Sequence, residues 1–131
     1  MKKIIALLLL ICTFALCLTS CASMDKYEDN LSKDYDIEIP EDDDMLNMAF
    51  KDITHLDAED YEIENLLYAN HNEENYVVYI LECKTSSKAK ELAKDLEKLI
   101  EEYDSNYTDV VRKGKFVFWG YEKAINDALG K

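Results

Sequence analysis

The chain has 131 residues, 48% of them apolar and 33% charged, which is enough for one domain and excludes two of ordinary size. Twenty-eight acidic against 15 basic residues leave a formal charge of −13, and the basic patch that a phosphate backbone would need is hard to find. Nucleic acid is therefore not an expected partner.

The N-terminus has the layout of an export signal. Lys2 and Lys3 precede the apolar run from Ile4 to Leu18, and small residues follow at Ser20, Ala22 and Ser23. The run is short for a membrane span, which takes roughly 20 apolar residues. It closes on Leu18-Thr19-Ser20-Cys21. This tetrapeptide resembles the lipobox of bacterial lipoproteins, in which the cysteine carries diacylglycerol and cleavage follows just before it. The resemblance implies that residues 1–20 form a lipoprotein signal peptide and that Cys21 is the lipid-attachment residue. The mature protein would then sit at the cell membrane on its extracytoplasmic face. Two or three acyl chains would hold it there, since each buried CH2 contributes about 0.8 kcal/mol and a single chain binds only marginally. Cys12 and Cys17 leave with the signal, so Cys83 is the one free thiol and no intramolecular disulfide is expected. It follows an apolar strand pattern, and the reading is a buried small hydrophobe.

The two lysines lost with the leader leave 13 basic and 28 acidic residues, a mature charge of −15. Residues 25–44 hold ten acids, two lysines and few large apolar side chains, and read as a flexible acidic tether over 21–44. Pro40 marks its boundary with the domain. Calcium at Glu41 to Asp44 is disfavoured, because consecutive carboxylates do not converge on one ion and the EF-hand spacing is missing.

Residues 45–131 read as a single domain. Leu46, Phe50 and Ile53 have helical spacing. Tyr61 to Ala69 and Tyr76 to Lys84 are strand-like runs joined by a polar turn, and the second is apolar on both faces, as a central strand would be. From Ser87 to Tyr103, Ala89, Leu92, Ala93, Leu96, Leu99 and Ile100 form one helical stripe. Thr108 to Val111 and Phe116 to Gly120 flank a turn at Gly114 and predict a second hairpin. Tyr121, Ala124, Ile125, Ala128 and Leu129 then predict a last helix. The order is α-β-β-α-β-β-α, and the expected class is α+β: a small antiparallel sheet of about four strands with helices packed mainly on one face.

The lipobox, the acidic spacer, a hairpin running into a Lys/Glu-rich helix and a short hairpin around Lys113-Gly114-Lys115 resemble a family of small uncharacterised lipoproteins of Gram-positive bacteria. The resemblance covers about Met45 to Ala128 and concerns layout, so it implies compartment and fold and carries no site residues.

Motifs of chemistry are sparse. The three glycines form no phosphate loop, and CxxC, HExxH and GxSxG patterns are missing. His55 and His71 have no second ligand at i+3 or i+4, which argues against zinc, and pairing either with Cys83 as a nucleophile lacks a supporting motif. No cofactor is expected, and the protein is not expected to be an enzyme. Phe116, Phe118, Trp119 and Tyr121 form an aromatic cluster in which alternation sends one pair inward. Trp119 and Tyr121, with the basic hairpin tip at Lys113 and Lys115, are the candidate interaction surface. The expected function is a non-enzymatic binding domain, anchored to the membrane through Cys21 and engaging an envelope protein or cell-wall component. The alternative is an acidic inhibitor or immunity lipoprotein neutralising a cationic hydrolase or bacteriocin. A small-ligand receptor is disfavoured, since 87 residues leave little room for a pocket beside a core.

Overall fold

A computed structural model describes residues 23–102 and 108–131. The signal segment 1–20, Cys21 and the end of the long helix at Tyr103 lie outside the described residues. The chain order is helix α1 (Met24–Leu31), strand β1 (Tyr35–Glu38), helix α2 (Asp43–Thr54), a single 3-10 turn (Ala58–Tyr61), strands β2 (Ile63–His71) and β3 (Val77–Cys83), helix α3 (Ser86–Glu102), strands β4 (Asp109–Lys113) and β5 (Phe116–Gly120), and helix α4 (Glu122–Ala128). The strands form one antiparallel sheet in the order β1-β2-β3-β5-β4, so β3 is central, as its two apolar faces predict.

The α+β class and the paired hairpins match the expectation from sequence, with two corrections. The sheet has five strands rather than about four, because β1 comes from the stretch read as a tether. Residues 24–38 are not flexible: Tyr27 and Leu31 lie one turn apart on α1 and are 2% and 0% exposed, and Tyr35 on β1 is 4% exposed. Tyr27 and Leu31 on one face dock the short helix and Tyr35 docks the strand that follows, while the acids of the helix stay off that face. The second correction concerns the layers. Helices cover both faces of the sheet. Leu67, Ala69, Val78, Ile80, Phe116 and Phe118 pack with α1 and α4. Leu66, Leu81, Cys83 and Val117 pack with α2, the 3-10 turn and α3. The cause is the alternation along β3, which presents Val78 and Ile80 to one side and Leu81 and Cys83 to the other.

Local chemistry sets the element ends that matter for the site. Asp42 caps α2, its Oδ1 accepting the Met45 N–H at 2.8 Å, and Asp43 and Asp44 add negative charge to the first turn. The helix stops where the Thr54 hydroxyl donates to the Phe50 carbonyl and accepts the Leu56 N–H, with His55 in the left-handed region at φ 62°. The second helix of this layer, α3, has no acid in its first turn and no base in its last, so burial of Ala89, Leu92, Ala93 and Leu96 holds it rather than its end charges.

Candidate functional site

The antiparallel register builds one continuous row across the sheet on its α2/α3 face: Glu38 opposite Tyr68, Tyr68 opposite Tyr79, Tyr79 opposite Trp119 and Trp119 opposite Val110. The tyrosine rings are 5.0 Å apart at 31°, and Tyr79 stands 5.6 Å from Trp119 at 38°, both tilted contacts within the range of favourable aromatic pairs. Burial raises the Tyr79 hydroxyl above its ordinary pKa, and neighbouring Tyr68 adds to the effect. All three aromatic side chains are half-buried.

Helix α2 crosses beside this row without closing over it. Met45, Ala49 and Ile53 recur at intervals of four and form one wall. The segment Ile37 to Glu41 forms the other wall, and Leu66, Tyr68 and Tyr79 form the floor. The result is an open groove of about 600 Å³, which lies in the range of small-ligand and peptide-side-chain sites. The expectation of little room for a pocket is therefore corrected: with helices on both faces, the space comes from the gap between α2 and β1 rather than from the core. Ile39 and Met45 on the groove walls are 44% and 48% exposed, and Met48 on the same helix is 67% exposed. Large apolar side chains gathered at one opening are the informative exception on a soluble surface.

The rim is acidic. Glu38 and Glu41 line the opening, and Asp42, Asp43 and Asp44 continue from it. Neither glutamate is ion-paired among the described residues, whose salt bridges are Lys51–Asp57, Lys88–Glu91, Lys115–Glu82 and Lys123–Asp127. Beyond Ile53, which lines both, a smaller hollow of about 260 Å³ reaches His55, Leu99, Ile100 and Trp119. The Trp119 Nε1 is buried and has no hydrogen-bond partner among the described residues.

The residues singled out from sequence do not come together. Trp119 packs on the α2/α3 side and Tyr121 on the opposite side with α1 and α4. Lys113 and Lys115 flank the hairpin turn at the far end of β5 from Trp119, and Lys115 bonds Glu82 at 3.3 Å. Of the four, Trp119 alone borders the groove region. Cys83 is 0% exposed, and burial, followed by the charges of Glu82, Glu62 and Glu64, pushes its thiol up to about 12. It faces Ile63, whereas His71 ends the same strand eight residues on, roughly 26 Å away. His71 packs against Tyr35 and Tyr76, and its Nδ1 accepts the backbone N–H groups of Glu73 and Glu74. His55 is exposed at the end of α2. Among the described residues no group of three His, Cys, Asp or Glu side chains could hold a metal ion, and no helix is long and apolar enough to cross a membrane.

Reading the sequence residue by residue missed the groove because it depends on placing Glu38 beside Tyr68. The available signal was the apolar pair Ile37 and Ile39 inside an acidic stretch, in strand-like alternation with Asp36 and Glu38. The chain matches no protein-family model, no curated protein and no solved structure.

Proposed function

We propose that the protein is a lipid-anchored, non-enzymatic binding domain on the extracytoplasmic face of the cell membrane, and that the groove between α2 and the sheet is its binding surface. The observation that carries the binding role is the groove itself, an open channel with two tyrosines in its floor, an acidic rim, and exposed Ile39 and Met45 at its mouth. The leader and the sequence Leu18-Thr19-Ser20-Cys21 support the anchor. A binding role is favoured over catalysis because the one thiol among the described residues is buried and held protonated, and His71 stands at the far end of β2 from it.

Two measurements test this reading. In the producing cell, the full-length protein should take up a labelled fatty acid and fractionate with membranes, and Cys21→Ser should abolish both. With the soluble Cys21→Ser protein lacking residues 1–20, a neutral naphthylamine dye should fluoresce on entering the groove, and Ala49→Trp should block it. No uptake of label removes the anchor, and dye binding that ignores Ala49→Trp removes the groove.

The second reading, an inhibitor of a cationic envelope attacker, is favoured by one observation. The acid-rich stretch 25–44 is part of the folded body and not a tether, so its carboxylates are presented on a fixed surface.

A further inference from the structure

We propose that the groove binds a basic, amphipathic peptide segment, whose apolar side chain enters between Ala49, Ile53 and Leu66 while a neighbouring lysine or arginine lies over Tyr68 toward Glu38 and Glu41. This rests on the groove being the binding surface and specifies its partner.

Three features of the groove select that chemistry. The floor and the α2 wall are apolar, which takes up a hydrocarbon side chain. Tyr68 presents a half-buried ring directly opposite Glu38 in the sheet register, so a cation resting on the ring has a carboxylate at its side. A cation–ring contact contributes about 0.5–1 kcal/mol when exposed and more when water is excluded. Glu38 and Glu41 have no ion-pair partner among the described residues, and the adjoining Asp42 to Asp44 extend the same sign of field. An anionic ligand would bring like charge against these carboxylates, and a neutral apolar one would enter the groove without using them.

The shape favours a peptide over a free amine. The groove opens alongside β1, which among the described residues pairs with β2 alone. A segment lying there has Ile37 to Glu41 on one side and α2 side chains on the other, over a floor from β2 and β3, a two-walled groove of the kind that takes up peptide side chains. A second copy of this acidic chain is a poor occupant on charge grounds.

The test uses the Cys21→Ser protein without residues 1–20, which keeps every described element, and a short amphipathic lysine–leucine peptide. Two comparison peptides replace the lysines with glutamate or the leucines with serine. The lysine–leucine peptide should bind and displace the naphthylamine dye, and both comparison peptides should bind at least about tenfold more weakly. Glu38→Lys/Glu41→Lys and Ala49→Trp should each weaken binding by about tenfold or more. Asp25→Lys/Asp29→Lys, with the same change in charge on the far side of the sheet, should leave it within about twofold at moderate salt. Thermal melts of each variant confirm that the fold is retained. Equal losses from the two charge reversals, or binding indifferent to Ala49→Trp, would show attraction to the general surface and overturn the proposal. Equal binding of the glutamate peptide, or a dimer abolished by Ala49→Trp, would overturn it as well. If the dye enters the groove and the lysine–leucine peptide does not, the ligand class falls and the groove remains. If neither enters, both fall.

Discussion

At the scale of single residues, the core contains a polar atom that costs stability. The Tyr27 hydroxyl is buried without a hydrogen-bond partner among the described residues, while its ring makes edge contacts with Phe116 at 5.1 Å and Phe118 at 4.8 Å. Removing an unsatisfied buried hydroxyl recovers its desolvation cost and keeps the ring, so Tyr27→Phe should stabilise the fold by about 1 kcal/mol in urea denaturation. A loss of stability would mean that the hydroxyl has a partner. Tyr35 is the opposite case: its hydroxyl donates to Asp127 Oδ2 at 2.8 Å, and Lys123 reaches Oδ1 at 2.7 Å. Burial alone would raise the Asp127 carboxyl, but the bonds from Lys123 and Tyr35 outweigh it and hold the group below its ordinary value. A depressed folded-state pKa contributes stability that is present above the unfolded carboxyl's pKa and lost as pH falls through the folded one. Tyr35→Phe should therefore cost about 1–2 kcal/mol at neutral pH. The gap between variant and parent should narrow as the solution is acidified through the carboxylate range, and a gap independent of pH would assign the loss to packing. For Cys83, a pKa pushed up to about 12 predicts almost no alkylation of the native protein at pH 8, with full labelling only after denaturation.

At the scale of elements, the most consequential is the N-terminal helix–strand pair. Helix α1 and strand β1 supply Tyr27, Leu31 and Tyr35 to one core layer, and Asn30 Nδ2 donates to the Ala128 carbonyl at 2.8 Å, tying α1 to the end of α4. A chain starting at Met45 should consequently fail to fold, and Leu31→Ala should cost about 2–4 kcal/mol in the longer protein. A cooperative far-ultraviolet melt from residues 45–131 alone would sink this. The same elements show what a sequence does and does not disclose. The long helix α3 and the hairpins β2–β3 and β4–β5 were legible because Ala89, Leu92, Ala93 and Leu96, or Val77 to Cys83, repeat a clear period over many residues. The α1 and β1 segments were not, because between residues 24 and 38 three core side chains stand among six acids, and mean polarity outweighs so short a period. The groove was illegible for a related reason: Glu38 and Tyr68 are thirty residues apart in sequence and meet only through the β1–β2 register. Gly120 was read as a strand end, whereas a Cβ there would stand 2.2 Å from the Val77 carbonyl oxygen, so its role is close approach of two backbones.

For the whole molecule, order in α1 changes how the protein would sit on a membrane. A flexible segment 21–44 would hold the body roughly 27 Å from its anchor, and farther with charge repulsion. With α1 beginning at Met24, only the chain from Cys21 to Met24 separates a lipidated cysteine from the folded body, a reach of at most about 11 Å. The body would then lie against the headgroups, within a screening length or so of about 8 Å at physiological salt, although it carries the acidic surface. Helix α1 packs on one face of the sheet and the groove opens on the other, so attachment through the start of α1 would leave the groove facing away from that layer. Neutron reflectometry of the acylated protein on a supported neutral bilayer tests this arrangement: protein density should begin within about 11 Å of the headgroups. A flexible Gly/Ser linker inserted between Ala22 and Ser23 should open a water layer in proportion to its reach. A water gap near 27 Å for the parent protein would mean that α1 and β1 unravel at the membrane and act as a tether after all. In that event the core layer holding Tyr27 and Leu31 would be exposed, and the anchored protein would lack the cooperative melt expected of the folded body.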